Sequence, residues 1–356
     1  MRKDESQKKG QLAKIILTIT FVGVIIATFF GYRKYQEIFG ESVPKSLGET
    51  TIEIPSNSSF EDVVGILKNK RLIAHEDSFR FLAQQMKYER ASMRSGKFKI
   101  QPGWSTYDLI HHLRGGKQET VKLVFNSAWT VKNVAAKVAE FIEPDSTDLV
   151  NLFSDEKFIS DLGYTPASLM SLFIPNTYDF FWNTSPAKFM ERMKKEHDSF
   201  WSKNKRAAKA KELDLTPEEV YILASIVERE TLQNDEKERM AGVYYNRLKT
   251  KGWRLEADPT VKFAVGDFGL RRILNKHLQI KSPYNTYKNQ GLPPGPISMA
   301  SISSIDAVLN VESHNYMFFC ARGDGSGYHN FARTLTQHNR NAATYRANMR
   351  KSGAWN

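Results

Sequence analysis

Two glutamates one residue apart, Glu228 and Glu230, stand near the end of the best-signalled helix in the chain, within residues 215–232. Thr216-Pro217-Glu218-Glu219 opens it with a capping Thr, a Pro at the first helical position and a Glu at the third. At about 100° per residue from Ile222, the residues Leu223, Ile226 and Val227 define an apolar stripe centred near about 70°. Glu230 falls within it, at about 80°, and Glu228 nearly opposite, at about 240°. A carboxyl on a core-facing stripe is costly to bury as an anion. Its pKa therefore rises, which is the condition for a general acid near neutral pH. The periodicity fits equally well a helix that ends near residue 229 and leaves Glu230 exposed in the last turn.

Other groups with chemistry follow downstream. Asp258-Pro259-Thr260 reads as a turn with a carboxylate, and Ser282-Pro-Tyr-Asn-Thr-Tyr287 as an aromatic and amide cluster without helical period. Gly291-Leu-Pro-Pro-Gly-Pro296 must be a rigid irregular loop. Aromatic, Asn, Thr and Asp side chains on fixed loops suit a polar ring such as a sugar. His329, beside Tyr328 and Phe331, is a lone histidine and more often structural than catalytic. The eight histidines form no HExxH and no metal-ligand spacing, so no metal site is expected. No P-loop, no G-x-S-x-G and no dinucleotide fingerprint is present, and Gly323–Gly327 reads as a hairpin turn between residues 316–321 and 328–332.

These groups need elements to hold them. Residues 235–249 read as a helix with Met240, Val243, Tyr244 and Leu248 on one face. Residues 128–212 read as mainly helical, with Arg206, Lys209 and Lys211 on a solvated face. Upstream, strands at 51–55, 96–100 and 120–125 alternate with helices opened by Ser58 or Ser59, at 76–87 and from Ser105, a small α+β module. The module reads as a structural spacer or as a glycan-binding unit, and composition favours the spacer.

Composition bounds the rest. With 51 Lys+Arg against 39 Asp+Glu, the net charge of +12 suits an anionic partner without naming it. Cys320 is the single cysteine, which excludes an intrachain disulfide framework. Ile15 to Tyr32 is an uncharged, apolar 18-residue run, long enough for a bilayer. Arg2, Lys3, Lys8, Lys9 and Lys14 precede it and predict a cytoplasmic N-terminus. A cleaved signal peptide is the rival reading, but Phe29-Phe30-Gly31-Tyr32-Arg33-Lys34 fits a cleavage site poorly. An extracytoplasmic location weakens a nucleic-acid reading of the charge, and no nucleic-acid partner is expected.

Six motifs appear in order: Ala224-Ser-Ile-Val-Glu-Arg-Glu-Thr231, Tyr245-Asn-Arg-Leu248, Asp258-Pro-Thr-Val261, Tyr284-Asn-Thr-Tyr287, Gly291-Leu-Pro-Pro-Gly295 and His329-x-Phe331. Together, behind one N-terminal anchor, they resemble the endolytic murein transglycosylase family (YceG-like), best over about 214–347. The family's Pro-Asp-Thr-Tyr element reads Pro175-Asn176-Thr177-Tyr178 here, and the usual acidic-Gly pair upstream is missing. In lytic transglycosylases the catalytic Glu precedes Ser or Thr, which matches Glu230-Thr231 rather than Glu228-Arg229.

The resemblance implies an α+β chain: a cytoplasmic N-terminus (1–14), a single transmembrane helix (15–32), a tether (33–50), a LysM-like α+β module (51–126), a helical connecting region (127–212), an α+β catalytic domain (213–348) and a tail (349–356). It implies Glu230 as the catalytic acid and Glu228, Asn246, Asp258, Thr260, Tyr284, Asn285, Tyr287 and His329 as substrate-binding residues. No cofactor or metal is called for. The implied activity is a lyase cleaving the MurNAc–GlcNAc β-1,4 bond inside peptidoglycan strands. It leaves 1,6-anhydroMurNAc ends and acts on nascent strands to terminate elongation. The implied location is the cytoplasmic membrane, with the catalytic domain on the outer side and cell-wall synthases or division proteins as partners. Two other readings remain open from the residues: a non-catalytic glycan-binding scaffold of the cell-wall machinery, and a two-carboxylate muramidase pairing Glu230 with Asp258.

Overall fold

The computed structural model describes residues 2–270 and 272–352. The last four positions of the expected tail, 353–356, lie outside the described residues. The fold is mixed α and β and forms two compact units. One contains the chain up to Val121 with Phe180–Asn183, and the other Lys122–Asp179 with the chain from Thr184 onward.

The first unit begins with α1 (Arg2–Phe39), whose segment Lys14–Phe39 is long and apolar enough to cross a membrane. The hydroxyls of Thr18, Thr20 and Thr28 donate back to carbonyls four residues earlier, at 2.9, 2.9 and 2.8 Å. These three hydroxyls thus ask nothing of the surroundings, as an apolar phase requires. At about 1.5 Å per residue α1 is about 57 Å long, well beyond the roughly 30 Å of a hydrocarbon core.

Its last turns are built into the module, which corrects the expected tether at 33–50. Ile38 and Val43 join the hydrophobic core. Ser78 donates to the Glu37 carboxylate at 2.5 Å and Thr106 to the Glu37 carbonyl at 3.1 Å. A bridge joins Glu41 to Ser105, and the backbone N–H groups of Ser42 and Val43 donate to Trp104 O at 2.9 Å. The segment reads as polar by composition, but two apolar side chains placed five residues apart are enough to dock it.

Around this entry β1 (Thr50–Ile54), α2 (Phe60–Asn69), α3 (Glu76–Gln85), β2 (Gly96–Ile100) and α4 (Thr106–Gly115) form the module. β1 and β2 pair antiparallel, Thr50 opposite Ile100 and Ile54 opposite Gly96. The register puts Ile52, Ile54, Phe98 and Ile100 on the buried face. Capping boxes at Ser59/Asp62 and Ser105/Asp108 start α2 and α4.

The chain then runs through β3 (Thr120–Val124) into α5 (Val131–Ala139), α6 (Ser146–Phe153), α7 (Glu156–Asp161), β4 (Thr177–Phe181), α8 (Pro186–Ser202) and α9 (Arg206–Glu212), with β3 and β4 paired. The C-terminal half adds α10 (Pro217–Glu230), α11 (Lys237–Lys249), α12 (Asp258–Val265), α13 (Asn275–Leu278), α14 (Ile302–Leu309), β5 (Phe318–Ala321), β6 (His329–Ala332) and α15 (Leu335–Lys351). β5 and β6 form the expected antiparallel hairpin.

The expected connecting region is no separate body: it shares one unit with the C-terminal half. Tyr221 of α10 donates to Phe173 O at 2.7 Å, beside the Pro175–Tyr178 element. Arg206, read as solvated, is buried and bidentate to Asp306 of α14 at 2.8 and 3.0 Å, with its guanidinium 4.0 Å from the Phe200 ring centroid. Asp258-Pro259 opens α12 rather than a free turn, since Pro needs no N–H donor at a helix start.

Deleting residues 2–31 should therefore release a soluble chain whose melting temperature matches the full-length protein in detergent. Deletion through Phe39 strips Ile38 and Glu37 from the module and should lower the melting temperature by several degrees, as read by thermal unfolding followed by circular dichroism.

Candidate active site

The capping box of Thr216 and Glu219 sets the start of α10, and eight consecutive residues from Val220 to Val227 are buried. Burial runs round the whole helix, so the two-faced reading is too simple: the side carrying Glu228 also packs, against α14. The helix extends to Glu230, and Thr231 caps it with its N–H on Val227 O at 3.3 Å. Glu230 is thus the last helical residue, partly buried at the wall of a cavity of about 1060 Å³.

α11 lies alongside and supplies the partner. Tyr244, fully buried, donates its hydroxyl to Glu230 Oε1 in a very short hydrogen bond. Burial pushes the Glu230 carboxyl up to about 7. The Tyr244 hydrogen bond opposes that rise, the nearby negative charge of Asp258 adds to it, and the Arg247 guanidinium opposes it again. Arg247 is itself fixed, donating to Met317 O at 2.8 Å and to Leu255 O. A carboxyl poised near neutrality can both give and take a proton.

Glu228 has another environment. Burial alone would raise its pKa, but Ser301, Ser304 and Lys237 together hold it below the ordinary carboxylate value. Its Oε2 accepts from Ser301 Oγ, from Ser304 Oγ at 2.5 Å and from Lys237 Nζ at 3.2 Å. Two glutamates in one helical turn are therefore split into an anionic and a proton-bearing group.

Asp258, at the start of α12, lines the same cavity and accepts the Tyr287 hydroxyl at 2.7 Å. Of the expected binding residues, Glu228 and Asp258 share the cavity with Glu230, and Tyr287 touches it through Asp258. Thr260 and Asn285 are fully buried scaffolding. The Thr260 and Thr286 hydroxyls meet at 2.8 Å, and Asn285 donates to Leu278 O and Ile280 O at 3.0 and 2.9 Å. Tyr284 packs on Phe263 with ring centroids 4.6 Å apart. Asn246 donates to His314 O and Tyr316 O at 2.8 and 3.1 Å. His329 meets buried Glu236 through Nδ1 at 2.9 Å.

By periodicity alone Tyr244 lies on an apolar helix face. A buried Tyr hydroxyl needs a partner, and that demand was the available signal. Trp129, Arg229 and Lys262 also line the cavity; Arg229 lies within the Ala224–Thr231 motif, but its place on the cavity wall beside Trp129, one hundred residues away, is set by folding.

Comparison with known proteins accords with this geometry. The chain matches the model of the YceG-like family over residues 52–344. It is 30% identical over 329 residues to the endolytic murein transglycosylase of Bacillus subtilis strain 168, covering 87% of this chain and 89% of that protein. It is 27% identical over 368 residues to the endolytic murein transglycosylase of Streptococcus pneumoniae strain D39, spanning 94% of this chain but 65% of that longer protein. The crystal structure of a YceG-like protein from Listeria monocytogenes superposes with a TM-score of 0.55 at 29% identity, covering 82% of this chain and 98% of that one.

Two outcomes follow from the split glutamates. Glu228→Gln leaves the Lys237 ammonium, buried at 6% side-chain exposure, without its counter-charge. It should cost on the order of 3 kcal/mol in chemical denaturation. For Glu230 the folded pKa lies above the unfolded value of 4.5, so the native state loses stability as pH rises from about 4.5 through about 7. Glu230→Gln should abolish that loss, and its stability advantage over wild type should widen between pH 5 and pH 8.

Proposed function

The chain belongs to the YceG-like family and is an endolytic lytic transglycosylase of peptidoglycan; from this premise we propose that Glu230 is the single group that performs proton transfer in the reaction. The observation that carries the proposal is the Glu230 carboxyl itself, on the cavity wall, tied to Tyr244 and held near neutral pKa by burial.

The protonated carboxyl gives its proton to the glycosidic oxygen between N-acetylmuramic acid and N-acetylglucosamine. The C1–O bond breaks, the N-acetylglucosamine side leaves as an alcohol, and positive charge spreads over C1 and the ring oxygen. The resulting Glu230 carboxylate takes the proton of the muramoyl C6 hydroxyl as O6 bonds to C1, closing the 1,6-anhydro ring. The carboxyl ends protonated, as it began, and no water is consumed. Tyr244 holds one carboxyl oxygen, so the other is the one presented to the sugar.

Asp258 adds negative charge beside the developing cation, while the loop around Tyr284, Asn285 and Tyr287 supports Asp258 through the Tyr287 hydroxyl. In this reading α1 anchors the chain in the cytoplasmic membrane with its N-terminus inside and the catalytic unit outside, where strands under synthesis would be cut within their length.

The test is mass spectrometry of muropeptides after digestion of purified sacculi by the full chain in detergent. Anhydromuramoyl ends support the proposal, reducing ends would move it to a two-carboxylate hydrolase using Asp258, and intact strands would reduce it to glycan binding. Glu230→Gln should lower turnover by at least about 10²–10⁴-fold with glycan binding retained. Because the acid form is required, kcat/KM of the wild type should fall as pH rises above about 7.

A further inference from the structure

The cavity holding Glu230 has a basic wall that the proton chemistry leaves unused. Arg229, Lys262 and Arg272 line it together with Glu228, Glu230 and Asp258. Two of those carboxyl groups are spoken for, Glu228 by Lys237 and two serines and Asp258 by Tyr287, while Glu230 is bonded to Tyr244. Among the described residues, neither Arg229 nor Lys262 comes within salt-bridge distance of a carboxylate.

Arg229 is nevertheless held. Its guanidinium lies 3.9 Å from the Trp129 ring centroid, and a terminal nitrogen donates to Ser127 Oγ at 3.2 Å. Its Nε is buried with no hydrogen-bond partner. Trp129 is in turn stacked on Phe268 at 4.7 Å, and Lys262 Nζ lies 5.5 Å from its ring. Trp129 therefore serves as a pedestal for two cations rather than as an open platform for a sugar ring. A half-buried guanidinium fixed in orientation and short of a carboxylate is a receptor for a planar anion, because its N–H fork matches two carboxylate oxygens.

We propose that Arg229 and Lys262, seated on Trp129, form a subsite for a carboxylate carried on the lactyl side of the muramoyl residue at the cleavage point. The inference rests on the reading of the cavity given above. Such a carboxylate has two sources: the lactyl group of a strand stripped of peptide, or the stem peptide of a substituted strand. The subsite would make the enzyme choose muramoyl sugars by charge, since N-acetylglucosamine offers no anion.

The test uses the full chain in detergent with linear, uncrosslinked strands of uniform length in three forms: peptide-free, peptide-bearing, and peptide-bearing with carboxylates converted to amides by carbodiimide and ammonia. Anhydro-end formation gives kcat and KM for each. Wild type should show a KM about tenfold higher on the amidated form with kcat within about twofold, the size expected for a charge-assisted pair. Whichever carboxylate form has the lower KM identifies the source. Arg229→Gln and Lys262→Gln should show the raised KM on the carboxylate forms and no further rise on the amidated one, and Arg229→Lys should recover part of the loss. Equal KM across the forms for wild type overturns the subsite and leaves the lytic reaction standing. So does a variant penalty that persists undiminished on amidated strands. Should Arg229→Gln fail to fold, Lys262→Gln and the wild-type comparison still decide. If no form yields anhydro ends with wild type, the reading of the cavity fails and this inference with it.

Discussion

The proposed reaction depends on one constraint: the carboxyl of Glu230 must be dry enough to keep its proton near pH 7 and still open to a glycan. Its place at the final residue of α10 meets both demands. The helix behind it is buried on every side, which removes water from one flank, and the helix stops there, which leaves the other flank on the cavity. Tyr244 then fixes the carboxyl by its hydroxyl, at the cost of some of the pKa rise that burial supplies. A stronger stabilisation of the anion would give a poor acid, and none at all would leave the carboxyl free to turn.

Much of the surrounding unit serves to hold that arrangement still. Tyr221 ties the middle of α10 to Phe173 O and accepts Ala300 N–H at 3.2 Å, and Ser225 accepts Ile297 N–H at 3.1 Å, so the segment 291–300 is fastened to α10 by its own backbone. Gly295 belongs to this fastening, because a Cβ there would meet Ala167 O at 1.9 Å. The Thr260–Thr286 contact joins α12 to the loop carrying Tyr287, whose hydroxyl steadies Asp258. Several motif residues therefore act at one remove, through hydrogen bonds that support the groups facing the cavity.

The N-terminal unit follows the same economy. α1 enters its core through Ile38 and is clasped at Glu37, so the apolar helix and the module form a continuous piece. Within that unit the orientation of the module is thereby set by the direction of α1 and not by a loose linker.

Local signals made a good part of this legible from the sequence. Thr216-Pro217 with Glu219 announced α10, Ser59 and Ser105 announced α2 and α4, and alternation announced β1 and β2, because caps and periodicity are written in neighbouring residues. The stripe also put Glu230 among apolar positions. Only the tertiary structure decided the rest. The stripe separated Glu228 from Glu230 by face only, but α14 brings two serines and α11 a lysine to one, while α11 brings a tyrosine to the other. Arg206 looked solvated until Asp306, one hundred residues away, met it, and residues 33–50 looked like a tether until Ile38 and Val43 found a core. Spacing along a chain reports which face a side chain takes; its pKa and its role depend on what packs against that face, and those partners come from distant segments that only folding brings together.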